Sequence, residues 1–535
     1  MANEVIINIG NIKSKIIGYI PDVVQETLNE NLSYQLADIE YAPRVKLYYQ
    51  YLKNNNGKIP PPELKFWDGY TRLYNKNRGQ EFYTGLLGIV LEVLAHFKIP
   101  FVKKDSRIIP EQNMPDLKFT PSGKYKERDY QQACLNLGIK ATRGIFKIAT
   151  GGGKTLLVTE LIGRLKTGPF FFYVLTKDLL NQAHETLSTY LNVPIGKIGG
   201  GECKIEMINV CTIQTAIRAI NLGTQNFNLK DYSFDEEDSA AWKDEELTSV
   251  EQAAKIRQAI QAAKGIFVDE CHHTASKTIL DVINASPYAY WKYGGSATPY
   301  REDGADLMIR AMFGKNIVDI NASYLIERGF LCEPYIFFVP IAHEIRLQAY
   351  KTIYKDCIAN NTELNAHVAD TTNFLIKNGL TTLILVEQIS QGKLIQKFIP
   401  EAPFVSGKAK DRESTINDLR NGKIKTMIAT TLADEGLDVP TLDAVIMAGG
   451  GASATRVNQR IGRTLRINPE STRRKSVAIY YEHKAKYLMK HAAKVKKILK
   501  LEPKFNILTS SGPEYIKNEI SEVMNLSQDS DGIFD

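Results

Sequence analysis

The sequence predicts an α/β protein: two parallel-sheet domains in tandem behind a small α+β domain. Three observations carry that expectation. Short apolar, β-branched or aromatic runs alternate with amphipathic segments from about residue 144 to 300. A second alternation of the same kind runs from about 380 to 483. Strand–helix alternation of this sort is the pattern of a parallel sheet covered by helices. The first 115 residues have another texture, rich in Tyr, Asn, Lys and Pro. A chain of 535 residues has room for roughly three or four cores. The expected boundaries are 1–115, 116–320, 321–505 and a polar, partly disordered tail at 506–535.

In the first alternation, GIFKIA (144–149) reads as a buried strand and GKTLLVTELIGRLK (153–166) as a helix, because Leu157, Leu161, Ile162 and Leu165 recur at helical spacing. FFFYVLT, IEMINVCT, GIFVDE and the run around YAYWKYGG continue the strand series. The segment 222–264 reads as an insertion with an acidic centre, DYSFDEEDSAAWKDEE, followed by a helix, SVEQAAKIRQAIQAAK. Such a charge run is expected on a solvated surface. In the second alternation TTLILVEQ, APFVSG, IKTMIATT, LDAVIMAGG and SVAIYYEH read as strands, with NQRIGRTLR on a helix. In the N-terminal domain, YTRLY reads as one strand with Tyr70, Arg72 and Tyr74 on a shared face. Two rings and a guanidinium there suit stacking on unpaired bases and contact with phosphate. Trp67 reads as core.

Composition narrows the classes. Hydrophobic residues are 44% and charged residues 24%, ordinary values for a globular protein. The formal net charge of +7 is mild and permits a polyanionic partner without demanding one. Six cysteines are scattered with no CxxC pair, which fits a reducing compartment. The start MANEVIINIGNIKSK lacks the features of a signal peptide, and LLGIVLEVLAHF (86–97) is too short for a bilayer. A cytoplasmic protein without a membrane partner is expected.

Two stretches carry the chemistry. ATGGGKT (149–155) lies between a strand and a helix. Thr150, Gly151, Gly152 and Gly153 form a loop whose N–H groups can point at phosphate oxygens, reinforced by the helix N-terminus. Lys154 supplies a charge for the β and γ phosphates, and the Thr155 hydroxyl a ligand for magnesium. The full phosphate-loop pattern wants glycine or alanine five residues before Gly153, where this chain has Ile148. GIFVDECHHTAS (265–276) allows two readings, a zinc cluster or the acidic end of a motor strand. Zinc wants paired groups separated by a loop, and no second Cys/His pair lies at suitable spacing. Adjacent strand residues also face apart. Asp269 after four apolar residues suits magnesium, and Glu270 suits the orientation of an attacking water.

In this order ATGGGKT, DECHH, GSATP and QRIGRTLR resemble motifs I, II, III and VI of the superfamily-two helicases and translocases. RDYQ (128–131) is similar to the family's adenine-recognition element. LTKDLLNQA (175–183), CTIQTA (211–216) and TTLADEGLDVP (430–440) resemble motifs Ia, Ib and V. The resemblance spans residues 128–466 and implies RecA-like lobes, ATP and Mg2+. It implies adenine contacts at Arg128 and Gln131, magnesium at Asp269 and Thr155, and catalysis by Glu270 and Lys154. Arg463 and Arg466 would meet the γ-phosphate, suited by their fixed charge and paired N–H groups. Gln459 would meet the γ-phosphate or water, and Gly436 and Asp438 the nucleotide. His272, Ser296 and Thr298 would link the ATP state to the nucleic-acid grip. Thr176, Lys177, Thr212, Gln214 and Thr430 would touch the nucleic acid.

SATPYREDG (296–304) carries an R-x-DG extension like that of the XPB-like and UvsW-like branch, and FWDGYTRLYNKNRGQEFYTGLLGIVLEVL (66–94) resembles the WDG-x-x-RL stretch in the small N-terminal domain of UvsW-like proteins. That similarity implies an N-terminal accessory DNA-binding domain and the remodelling of branched DNA: branch migration, fork regression, and D-loop or R-loop unwinding in recombination, repair or replication. The implied partners are branched, duplex or single-stranded DNA, an RNA–DNA hybrid, and recombination or replication proteins. The alternatives are an RNA or hybrid helicase, recognised through the 2′-OH, a scaffold with a dead ATPase, and the motor subunit of a larger complex. The lysine-rich segment at 484–499 reads equally as a duplex path or a solvated helix.

Overall fold

The computed structural model describes residues 4–35, 43–55, 68–115, 128–222, 249–275, 277–298, 305–342, 350–406, 412–430, 439, 442–449, 454–467 and 473–526. Trp67, Gly436, Asp438 and the acidic centre of the insertion lie outside them. The chain divides into two compact units, one of Met1–Lys147 with Lys154–Asp319, the other of Ile148–Gly153 with Ile320–Asp535.

The first unit opens with strands β1 (Val5–Ile9), β2 (Lys13–Ile17), β3 (Ser33–Gln35), β4 (Tyr70–Arg72), β5 (Tyr74–Asn75), β6 (Glu81–Tyr83) and β7 (Phe101–Asp105). Five of them form a sheet in the order β5-β6-β2-β1-β7, while β3 and β4 pair separately. In β1 the apolar residues alternate inward, with Val5, Ile7 and Ile9 buried, as expected of a sheet covered on one side. Helices Asp22–Asn31 and Leu87–His96 lay Val24, Leu28, Val90 and Leu94 into the same core. This small domain is seated on the neighbouring sheet of its unit. Arg143 donates to the Asn11 carbonyl (2.7 Å), Asn11 Nδ2 donates to the Pro287 carbonyl (3.0 Å), and a Cβ on Gly85 would lie 2.2 Å from the Arg310 carbonyl oxygen.

YTRLY is not one strand. The Leu73 N–H turns to the Leu32 carbonyl (2.8 Å), and the chain leaves β4 for β5 in a different sheet. Leu73 is buried by that step, and Tyr74 goes inward with it.

The larger sheet of the first unit holds β8 (Arg143–Ile148), β9 (Phe170–Val174), β10 (Ile195–Gly199), β11 (Glu202–Lys204), β12 (Ile208–Thr212), β13 (Gly265–Asp269), β14 (Trp291–Ser296) and β15 (Asn316–Ile320). Their order is β11-β10-β12-β9-β13-β14-β8-β15. From β10 through β8 the pairings are parallel, and β11 returns antiparallel at the edge. All five residues of β9 and of β13 are buried, so both read as continuous apolar runs. Each buried Phe of β9 stabilises the fold by roughly 1.5–3 kcal/mol.

The second unit carries β16 (Glu333–Ile341), β17 (Thr382–Val386), β18 (Phe404–Val405), β19 (Thr426–Thr430), β20 (Ala444–Met447), β21 (Lys475–His483) and β22 (Asn506–Thr509), in the order β18-β19-β17-β20-β21-β16-β22. Every pairing in it is parallel. The two parallel sheets are those of two RecA-like domains. Residues 506–524, expected as the start of a polar tail, form β22 and the helix Ile516–Met524 instead. Ile516 and Ile520, one helical turn apart, are fully buried in the second core. No helix among the described residues is long and apolar enough to cross a membrane.

Candidate active site

The C-terminal ends of β8, β13 and β14 meet at one edge of the first sheet, where ligands of open α/β folds gather. After β8 the loop turns tightly, with the Gly152 N–H on the Ala149 carbonyl (2.9 Å). Gly151 and Gly153 have φ of 79° and 77°, a left-handed conformation that a side chain would strain. A Cβ on Gly152 would lie 2.5 Å from Ile148 Cγ2, so bare backbone is required there too. The helix Lys154–Leu165 starts at once, leaving its first N–H groups without helical acceptors and Thr155 on its first turn.

Lys154 Nζ lies 2.6 Å from Asp269 Oδ1 and 3.3 Å from Glu270 Oε1. Neighbouring acids on a continuous strand would face apart, as the sequence suggested. The chain avoids this by leaving β13 at Glu270 with φ 48°, which swings both carboxylates onto one ammonium. Burial alone would depress Lys154, but the charges of Asp269 and Glu270 hold its ammonium above the usual lysine range. Burial, with Glu270 beside it, pushes Asp269 up. Burial would also raise Glu270, yet Lys154 and the His272 ring hold its carboxyl well below the usual range. Two carboxyl groups, one ammonium and a glycine loop that leads into a helix N-terminus fit a polyphosphate and its divalent cation.

Glu270 is wired onward. Ser296 Oγ donates to Glu270 Oε2 (3.4 Å) and accepts from the Thr298 N–H (3.1 Å). His272 Nδ1 lies 3.0 Å from Ser296 Oγ and 3.4 Å from Glu270 Oε2. With a carboxylate as one neighbour and a hydroxyl committed to donating as the other, Nδ1 carries the proton. The Cys271 thiol is fully buried, and burial pushes it far above its usual pKa. Among the described residues no group of three or more His, Cys, Asp or Glu is placed to hold a metal ion.

Sequence reasoning missed the glycines that make room. A Cβ on Gly295 would lie 2.9 Å from Lys154 Cδ and 2.4 Å from Phe267 Cζ; one on Gly294 would lie 2.9 Å from Cys271 Sγ. The doublet before SATP was the available signal. The turn Gly199–Gly201, all at positive φ, was missed as well. It backs onto Thr212 and the stem of Lys177, and the run IGGGE marked it.

Several other expected site residues are placed differently from the sequence reading. Gln131 is 1% exposed, and its Oε1 accepts from the Arg128 N–H (2.8 Å), so it caps the helix Asp129–Ala141. Arg128 Nη1 donates to Tyr130 Oη (3.1 Å). Thr176 caps the helix Lys177–Tyr190, whose Lys177 is exposed. Thr212 and Gln214 do not present themselves as nucleic-acid contacts. Thr212 is 1% exposed and caps the helix Ile213–Asn221, while Gln214 is 5% exposed and donates to the Leu175 carbonyl (2.5 Å). Thr430 ends β19 and is 4% exposed. Tyr74 is 5% exposed and its hydroxyl is pushed up to about 12 by burial, which removes it from the proposed stacking face. Tyr70, 42% exposed, and Arg72 remain together at the surface, the guanidinium 5.5 Å from the ring centroid and held by Asp68. In the second unit Gln459 and Arg463, four residues apart, share a face of the helix Ala454–Thr464; Arg466 follows in a bridge to Leu331.

Comparison with known families agrees with the order of these parts. The Type III restriction enzyme res subunit family matches residues 124–301, and the helicase conserved C-terminal domain matches residues 367–468. The chain is a superfamily-two helicase. The DNA 3'-5' translocase XPB2 of Sulfurisphaera tokodaii is 24% identical over 433 residues, covering 72% of this helicase and 88% of that protein. A protein provisionally named helicase 22, from Sulfolobus islandicus filamentous virus, is 29% identical over 252 residues, covering 43% of this chain. The match spans 44% of the viral protein, less than half its length. The crystal structure of T4 UvsW covers 95% of this helicase and 99% of that chain at 17% identity and TM-score 0.43.

Proposed function

We propose that this helicase is an ATP-driven DNA motor, a helicase or translocase that remodels branched DNA. The observation that carries the ATPase reading is the Lys154–Asp269–Glu270 cluster, whose lysine directly follows in the chain a loop with Gly151 and Gly153 at left-handed φ. Bound ATP-magnesium would supply the scissile phosphoanhydride and neutralise charge developing on its oxygens. Lys154 would hold the phosphates, Thr155 and Asp269 the cation, and Glu270 would position the attacking water. The low pKa of Glu270 keeps it ionised and able to accept a hydrogen bond from that water. Arg463 and Arg466, with Gln459, are the proposed partners of the γ-phosphate. Arg128 and Gln131 are proposed for the adenine, and Gly436 and Asp438 for the nucleotide.

The Glu270–Ser296–His272 wiring supports a coupling role: moving the carboxylate toward substrate withdraws an acceptor from Ser296 and from His272 at once. DNA is favoured over RNA because XPB2, which matches along most of its own length, is a DNA translocase by name. Tyr70, Arg72, Thr176 and Lys177 are the proposed contacts that remain near the surface. The branched substrate rests on the R-x-DG extension and the N-terminal similarity. ATP-driven processing of a mobile four-way junction, a fork, a plain duplex and an RNA–DNA hybrid tests this reading. Junction and fork should be processed fastest; preference for an overhanging plain duplex or for the hybrid would overturn the branched-DNA assignment.

A further inference from the structure

The segment after β21 has no part in the nucleotide chemistry. Residues 484–504 hold eight lysines and one glutamate, a net +7 that equals the formal net charge of the whole chain. The rest of the protein therefore balances to zero, and the excess charge is a local feature. The single acid does not soften it from outside. Glu502 turns inward, accepting from the Ala322 N–H (3.2 Å) and from the Ser323 N–H (2.9 Å) and hydroxyl (2.7 Å).

The helix Lys486–Leu499 buries Leu488, Ala492, Val495 and Leu499, packing on β21 and on the helix Ala454–Thr464 that carries Gln459 and Arg463. Its other face exposes Lys490, Lys494 and Lys497, with Lys484 before it and Lys500 after it, also exposed. Lys496 is paired with Glu482 (2.7 Å). Lys484, Lys490, Lys497 and Lys500 make no ion pair among the described residues.

A solvated helix would not be built this way. Lysines three and four residues apart repel one another, and a surface helix ordinarily intersperses glutamates, of which this one has none. The helix dipole favours cations in the last turn, which accounts for Lys496, Lys497 and Lys500. It disfavours Lys484, Lys486 and Lys490 at the opposite end. Insertion into an anionic membrane would need the apolar face, and that face is the core of the domain. From Lys490 to Lys500 the stripe runs about 15 Å. Residues 488–504 contain no Phe, Tyr or Trp, so the exposed lysines offer charge to backbone phosphates rather than a broad platform for stacked bases.

We propose that the Lys490–Lys494–Lys497 face, extended by Lys484 and Lys500, docks the phosphate backbone of a nucleic-acid duplex without regard to sequence. It rests on the nucleic-acid motor reading and adds a grip outside the helicase motifs. The packing of this helix on the arginine-bearing helix places that grip one element away from the proposed phosphate-sensing residues.

The test is duplex binding by the full chain, followed by fluorescence anisotropy across a salt series. Each phosphate contact contributes about 0.9 to the slope of log affinity against log salt, so Lys490→Gln/Lys494→Gln/Lys497→Gln should bind more weakly with a slope shallower by about 2.7. The Lys→Arg triple variant should keep the wild-type slope, and ATPase activity without nucleic acid should be unchanged in both. An unchanged slope in the Gln variant overturns the proposal, as does a loss confined to single strands or to anionic vesicles. If the wild-type chain binds no duplex at any salt, the motor reading itself falls with it.

Discussion

At the scale of the residue, Glu270 shows how backbone conformation decides chemistry. Its left-handed φ costs about 1–3 kcal/mol for a side-chain-bearing residue, and it persists because β13 fixes one flank and the 3-10 turn Cys271–Ala275 the other. What the strain secures is the convergence of two neighbouring carboxylates on Lys154. Gly295 serves the same cluster by absence. Gly295→Ala should push the Lys154 stem and the Phe267 ring, costing about 1–3 kcal/mol of stability. Thermal unfolding and nucleotide titration should show a lower melting point together with weaker ATP binding. Wild-type behaviour in both would mean that the tight fit has no energetic content. Ser296→Ala removes the hydroxyl joining Glu270 to His272 while leaving Lys154 in place. DNA-stimulated ATP turnover should survive and strand displacement should drop tenfold or more, on the order of the coupling energies that link sites. Parallel loss of both rates would assign Ser296 to the chemistry itself.

At the scale of the element, the strands that sequence reveals are those buried on both faces, such as FFFYV and TLILV. β16 escapes that pattern because EPYIFFVPI holds Pro334 and Pro340, and proline argues against an interior strand. Both prolines lie outside Tyr335–Phe338, the four residues on which β22 pairs, so their missing N–H groups cost no bond on that side. β22 was hidden for another reason: three half-buried residues and an exposed one at the sheet edge leave little periodicity to read. At the site, ATGGGKT and DECHH were legible because phosphate and metal chemistry demand particular residue types at short spacing. Thr212, Gln214 and Tyr74 were misread because burial depends on partners distant in sequence.

The segment Pro513–Met524 is held by two contacts that can be probed. Ile520→Ala should destabilise the second domain by about 2–5 kcal/mol, measured by denaturant unfolding. His367 Nδ1 meets Tyr481 Oη (3.0 Å) and Nε2 meets the Pro513 carbonyl (2.7 Å). Burial lowers its pKa below the unfolded value of 6.5, against the opposing pull of the Pro513 carbonyl and Asp370. The unfolded chain therefore takes up the proton first, and stability contributed by the neutral ring falls as pH drops below 6.5. Protection factors of the amides in Ile516–Met524, with the intrinsic pH dependence of exchange divided out, should fall between neutral and mildly acidic pH, and His367→Gln should flatten that dependence. An equal fall in the variant would place the sensitivity elsewhere.

At the scale of the whole molecule, two parallel sheets present their functional parts at strand ends and on short helices, while a small domain is fastened to the first sheet through Asn11, Gly85 and Arg143. Charge follows the same division of labour: the candidate nucleotide site is a compact cluster of opposite signs, and the net excess sits in the segment 484–504 of the second unit. The central claim is that nucleic acid drives ATP turnover through Glu270. Its most direct test is the rate of ATP hydrolysis with and without duplex DNA, in the wild-type chain and in Glu270→Gln. DNA should stimulate the wild type, and the variant should lose about 10²–10⁴-fold of that rate while still binding ATP. Turnover that persists unchanged in Glu270→Gln, or a wild-type rate indifferent to DNA, would contradict the account.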